Sequence, residues 1–542
     1  MLRSRRTAAF AFFLLLTIAH TWPLALNPAR LSLNANADAE LNEWIMAWVV
    51  HQLPRDPSHL FEANIFYPAH DALAFSEPLI VPALMGAPLA WAGASPVLVY
   101  NVILILGFAL TGFATCMLVE SWTGRMAAGL LAGSLFAFNT HTLTRLAHVQ
   151  GIHIYGLPLA LLSLDRLVRE GTWRAALLLS LSTVVLTYTS GYLAVFAAVM
   201  IATALLATAR EWLPRARIVL PRLGVAALVT ALAITPIYLP YRRVAREQHM
   251  VRTMEGIRDF SATPRGYLAS AGRLHLSSSI GRFFRDPVDS FFPGFAALAL
   301  AGIAIAAAIR RRQEDGASDS ERLRGRVWML VAIGAVGVVL SLGAATPAYG
   351  WLFAVFPPMQ GLRAAARFGN LFLLSIAVLA GIGLSRLRAG AAIAVALIAL
   401  VNIESLQAPF TYRPFRSIPG IYHQLAEEPG PVVLVEQPFY PRSGIFQNSG
   451  YVLASTAHWR PLMNGYSGYT PASYQRYADA FWYFPQDRAV QAMKDAGVTH
   501  VIVHARAFGK NHQDVLEAFD KRSDVELIGA GPDGVRLYRL KR

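Results

Sequence analysis

Long apolar runs separated by short polar links recur from residue 8 to residue 404 and then stop. At 1.5 Å of rise per residue, runs of this length predict membrane-crossing helices. They lie at about 8–26, 95–119, 126–139, 153–168, 173–190, 191–209, 223–240, 293–309, 327–344, 368–385 and 389–404, making eleven crossings. The uncharged stretch 173–209 is too long for one helix and reads as two. Pro78 to Gly93 is rich in proline and reads as a helix lying at the outer surface. Beyond Glu404 the pattern changes. Val432-Val433-Leu434-Val435, Val498 to Val503 and a terminal stretch from Gly534 read as strands, with helical spacing at Asp487 to Ala496 and Gln513 to Phe519. The expected fold class is therefore an α-helical polytopic membrane protein with a C-terminal α/β soluble domain. The predicted domains are a membrane body, 1–408, and a tail, 409–542.

Composition supports this division and excludes a soluble enzyme. Only 15% of the 542 residues are charged and 55% are hydrophobic, against roughly 25% charged in ordinary soluble proteins. Forty-eight Lys and Arg against 33 Asp and Glu leave a net charge of +15, which alone would suggest a nucleic-acid partner. Most of the basic residues, however, are arginines between apolar runs, where charge sets membrane orientation. With eleven crossings, Arg3, Arg5 and Arg6, Arg125, Arg166/Arg169/Arg174, Arg210/Arg215/Arg217/Arg222, the cluster from Arg310 to Arg326, and Arg386/Arg388 all share the N-terminal, cytoplasmic side. The N-terminus is then inside and the tail outside. One loop, 241–292, carries nine arginines yet faces outward, which its length tolerates. A cleaved signal peptide ending near Ala35-Asn36-Ala37 is the rival reading of the N-terminus, but that site lies far beyond the apolar core of the segment. The single cysteine, Cys116, excludes an intramolecular disulfide.

The spans hold few ionisable groups, whereas an ion-coupled transporter keeps such groups at mid-membrane depth. Polar chemistry gathers instead in the outer segments. The first outer loop, about 27–94, is acidic, and Asp38 stands just after the first span and before an apparently amphipathic stretch, Leu41 to Leu53. A helix N-cap and a catalytic carboxylate are about equally good readings of Asp38. Glu40 is the weaker acid candidate, being suited to the first turn of a helix. The short link after Asn139 carries Arg145, His148, Gln150 and His153, suited to phosphate binding or proton transfer. In Pro357-Pro-Met-Gln-Gly-Leu-Arg363-Ala-Ala-Ala-Arg367-Phe, the arginines are four apart and would share a helical face as a fork for a lipid phosphate. The tail segment His458-Trp-Arg460-Pro-Leu-Met-Asn464-Gly-Tyr466-Ser-Gly-Tyr469 is dense in aromatics and turn formers; His458, Arg460, Asn464 and Tyr466 are candidates for sugar or acceptor contact. No HExxH or HxxxH spacing stands in that link after Asn139, and no nucleotide-binding glycine fingerprint is placed between a strand and a helix, although scattered carboxylates can recruit a divalent metal without leaving a motif.

These features together resemble the GT-C class of integral-membrane glycosyltransferases and related multi-span bacterial proteins. The likeness rests on the architecture, on Asp38-Ala-Glu40 after the first span, and on the Pro357–Phe368 and Asn464-Gly-Tyr-Ser-Gly468 segments. It implies a polyprenyl-phosphate sugar donor and a glycan, lipid or protein acceptor, at the outer face of a bacterial cytoplasmic membrane. Asp38 would then act as base, with Glu40 and His148 as catalytic candidates. Arg363, Arg367 and Arg145 would hold the lipid phosphate. The alternative expectation is a non-catalytic protein that binds or transports a lipid-linked glycan.

Overall fold

In the computed structural model, which describes residues 2–250, 252–310, 318–387 and 390–541, each of the eleven apolar runs is helical. Arg311, Arg312 and Arg388, and the side chain of Arg3, lie outside the described residues. Among the described residues, five helical segments are long and apolar enough to cross a membrane: Pro96–Thr123, Val149–Glu170, Ala209–Glu247, Glu321–Ser341 and Ala365–Arg386. Shorter apolar helices accompany them, including Met126–Ala137, Trp173–Thr189, Gly191–Ala207, Phe295–Arg310 and Ala391–Ser405. The protein is thus a polytopic helical membrane protein. The break in the uncharged run 173–209 falls at Ser190, whose extended backbone ends one helix while its side chain accepts from the Tyr192 N–H and starts the next.

The chain divides into two compact units whose boundaries differ from the expected division at residue 408. Unit one comprises 1–27, 102–238 and 250–411; unit two comprises 28–101, 239–249 and 412–542. The acidic first loop therefore packs with the tail rather than with the helical body. It is joined there by the two-residue pair β1 (Leu31–Ser32) and β2 (Arg413–Pro414).

Unit one is organised around Gly369–Arg386, which packs against Phe295–Arg310, Ser318–Ser341 and Met126–Ala137 and is buried along most of its length. Gly383 lies so close to the Leu300 carbonyl that a Cβ there would collide with backbone, and Gly381 lies similarly close to the Ala128 carbonyl. Small residues allow this backbone approach between apolar helices.

Unit two carries a four-stranded sheet in the order β3-β4-β6-β5, with β3 Leu434–Gln437, β4 His500–His504, β5 Val525–Ala530 and β6 Val535–Leu540. The β3/β4 pair is parallel and the other pairs are antiparallel. Helices Asp487–Asp495 and His512–Asp520 fall where the helical spacing predicts them. The edge strand β5 has no counterpart in the sequence reading. Its Glu526 and Leu527 are both exposed, which removes the alternation that marks a half-buried strand. The expected amphipathic stretch after Asp38 is instead a helix, Ala37–Gln52, buried on nearly every side from Leu41 to Val50 except at Ala47.

Candidate active site

Asn36, not Asp38, caps the helix Ala37–Gln52. Its side chain accepts from the Asp38 N–H at 2.9 Å, so the N-cap reading of Asp38 is corrected. Asp38 sits in the first turn, half-buried, and its Oδ1 accepts from the Tyr466 hydroxyl at 2.7 Å. A first-loop residue and a tail residue 428 positions apart thus meet within unit two.

Tyr466 is held by the turn that precedes it. Asn464 is fully buried; its Oδ1 accepts from the Glu436 N–H at 2.7 Å, while its Nδ2 donates to the Glu436 carbonyl at 3.0 Å and to Asn448 Oδ1 at 3.2 Å. Asn448 in turn donates to the Gly465 carbonyl. A Cβ at Gly465 would collide with the Phe66 ring, so the backbone approach there requires glycine. The polar atoms of Asn464, a candidate for sugar contact, hold the Tyr466 turn against β3. The candidates His458 and Arg460 also make contacts within unit two. His458 is buried, its Nδ1 accepts from the Arg460 N–H at 2.9 Å, and burial above all lowers its pKa to about 3. The Arg460 guanidinium donates to the carbonyls of Leu425, Ala426 and Glu428 at the end of the helix Gly420–Glu427, a C-terminal capping role.

Glu40 accepts from the Ser449 hydroxyl. Burial raises its pKa, against the opposing effects of Ser449 and Arg413. Glu43, another acid of the first loop, is 1% exposed. Burial first and the charge of Glu40 second push its carboxyl well above the ordinary 4.5, with Asn34 opposing. No local signal marks it out from the other acids of the first loop. Glu43 also lines a cavity of about 440 Å³, beside Trp91, His423 and His51, whose ring stacks on Trp459 at 4.3 Å.

A raised carboxyl pKa means that folded Glu43 keeps a proton which the unfolded chain releases. Stability therefore falls as pH rises from about 4.5 toward the raised value. Glu43→Gln removes that titration. The variant is expected to melt at a higher temperature than wild type at neutral pH and to lose less stability between about pH 5 and pH 7. Thermal unfolding across that range measures both, and an unchanged pH slope would contradict the assignment.

In unit one, the link between Met126–Ala137 and Gly156–Glu170 opens with Asn139, which caps the turn Thr140–Leu143. His141 on that turn is buried and stacks on Phe291 at 4.4 Å. Burial first, then the charges of Arg145, Arg367 and His148, hold its pKa well below 6.5. The candidates Arg145, Arg367 and His148 thus all act electrostatically on one buried imidazole. Gln150 and His153 are buried, and His153 Nε2 lies 2.9 Å from the Ile103 carbonyl, a structural contact.

The expectation that Arg363 and Arg367 share one helical face is corrected. Pro357–Gly361 and Ala365–Phe368 are separate 3-10 turns, and Ala364 between them is non-helical. The Tyr192 hydroxyl accepts from the N–H groups of Arg363 and Ala364 at 2.8 and 3.0 Å, pinning the extended step. Arg363 lies over the Phe260 ring at 4.2 Å and is exposed, whereas Arg367 lies over the Tyr192 ring at 4.5 Å and is half-buried. Such stacking fixes a guanidinium while leaving its N–H edge directed outward. Among the described residues, no group of three or more His, Cys, Asp or Glu side chains is placed to share a metal ion.

The chain has a GT-C-like membrane glycosyltransferase fold. Among solved structures the chain is similar over its whole length to the arabinofuranosyltransferase AftD from Mycobacteria, with a TM-score of 0.64 and 16% identity. It is also similar over 98% of its length to the apo oligosaccharyltransferase of Archaeoglobus fulgidus, with a TM-score of 0.51 and 12% identity. The chain spans 40% of the first structure and 74% of the second. No protein-family model and no curated protein matches the sequence.

Proposed function

We propose that the protein is a membrane glycosyltransferase that moves a sugar from a polyprenyl-phosphate donor to a hydroxyl-bearing acceptor at the outer face of a bacterial cytoplasmic membrane. The observation that carries this reading is the Asp38–Tyr466 hydrogen bond, which orients one carboxylate in an otherwise buried acidic helix start. Asp38 takes the proton of the acceptor hydroxyl as its oxygen attacks the anomeric carbon. The bond from that carbon to the phosphate oxygen breaks, and polyprenyl phosphate leaves with the electron pair. Within unit one, Arg367 and Arg145, whose charges both act on His141, are the candidate cations for a lipid phosphate. The stacked Trp459 and His51 offer a sugar ring an aromatic platform. Fold likeness supports the reaction class, and the activated donor supplies the energy.

The test is turnover: purified protein in detergent, given a polyprenyl-phosphate sugar and candidate acceptors, should release polyprenyl phosphate only as sugar is transferred. Donor binding without transfer to any acceptor would favour the non-catalytic carrier instead. The proposed topology has eleven crossings, with the N-terminus inside and unit two outside. A periplasm-active phosphatase fused after Asp259 should be active; cytoplasmic behaviour there would overturn that arrangement.

A further inference from the structure

The arginines at the opposite ends of the unit-one helices are arranged more specifically than orientation requires. The orientation bias needs only basic residues near the ends of spans, where water solvates them. Here arginines from several links line one cavity of about 1170 Å³, in which seven arginines face three acids. Asp165, its side chain 7% exposed, accepts from Arg169 Nε at 2.7 Å and from both Nε and Nη2 of Arg326, at 3.2 and 2.7 Å. Arg169 also pairs with Glu211 at 3.1 Å, and the Arg326 guanidinium lies over the Trp122 ring at 4.9 Å. The buried carboxylate therefore holds two guanidiniums rigidly in the wall. Arg166 and Arg174, in contrast, make no hydrogen bond or ion pair with any described residue. Among the described lining residues the arginines outnumber the acids by four, a positive excess that a bound anion would offset.

We propose that this cavity is a binding site for a phosphate-bearing anion. Guanidiniums match phosphate oxygens with paired N–H donors, and the fixed pair supplies that geometry without further ordering. The cavity lies where Gly156–Glu170 and Gly369–Arg386 end and where Trp173–Thr189 begins, the level of lipid headgroups for membrane helices. An acidic phospholipid and a soluble phosphate compound share the chemistry, and experiment separates them.

Full-length protein in neutral detergent would be titrated with cardiolipin, with phosphatidylcholine and, separately, with pyrophosphate, following thermal unfolding. The same titrations would be made on the double variant Arg166→Gln/Arg174→Gln. Cardiolipin should raise the melting temperature saturably, with an apparent affinity about tenfold or more weaker in the double variant, and the effect should shrink in high salt. Pyrophosphate acting in its place would identify a soluble ligand for the same site. Because neither substituted arginine holds a partner, the variant without ligand should be no less stable than wild type. The proposal is overturned by no response to either anion, by equal affinity in the double variant, or by an equal response to phosphatidylcholine. None of these readings depends on glycosyl transfer.

Discussion

Asp38→Asn is expected to slow glycosyl transfer by about 10²–10⁴-fold, the usual contribution of a positioned general base, with donor binding and melting temperature nearly unchanged. The amide oxygen of asparagine still accepts from the Tyr466 hydroxyl, so the contact that joins the first loop to the tail survives while the proton acceptor is lost. Tyr466→Phe tests the second half of the argument. It leaves the carboxylate but removes its oriented hydrogen bond, worth about 0.5–1.5 kcal/mol or more when charge-assisted. A loss on the order of tenfold in kcat is expected. Full turnover in Asp38→Asn would overturn the mechanism. A fall in melting temperature matching the loss of rate would make Asp38 structural.

The legible parts of this molecule were those written in local pattern. Every long apolar run is a helix, and even the break at Ser190 follows from the length of the run and a capping residue. Asp38 stands out in the sequence as a candidate, but its partner does not: nothing local links it to Tyr466 across 428 positions. The same distance hid the true role of Asn464, whose Asn-Gly step reads as a surface turn until Glu436 and Asn448 close around it. Helical phase misled at Arg363 and Arg367. Four-residue spacing places two side chains on one face only if the backbone is helical throughout, and the extended step at Ala364 destroys that phase. Glu43 was hidden in plain view, because an acid in an acidic loop gives no sign of being the one that is buried.

That geometry ranks the arginines. Arg367→Gln and Arg145→Gln should each weaken donor binding or transition-state stabilisation by about 10–100-fold in kcat/KM, the value of a lost charge-assisted hydrogen bond to phosphate. Arg363→Gln should cost less, since Arg363 is exposed on Phe260 and is not among the charges that act on His141. A shared helical fork would instead make Arg363 and Arg367 equivalent, so equal losses would contradict the arrangement. Packing is the confounding effect, because Arg367 also covers the Tyr192 ring. Arg367→Lys separates the two: it keeps a cation but not the planar fork, and should recover part of the activity if charge matters. An independent readout comes from His141. Removing a neighbouring positive charge relieves part of the repulsion that depresses its pKa, so in Arg367→Gln the imidazole should titrate at a higher pH than in wild type. Histidine NMR shifts would register that change without any donor present. An unmoved His141 would mean that Arg367 is not where the phosphate site requires it to be.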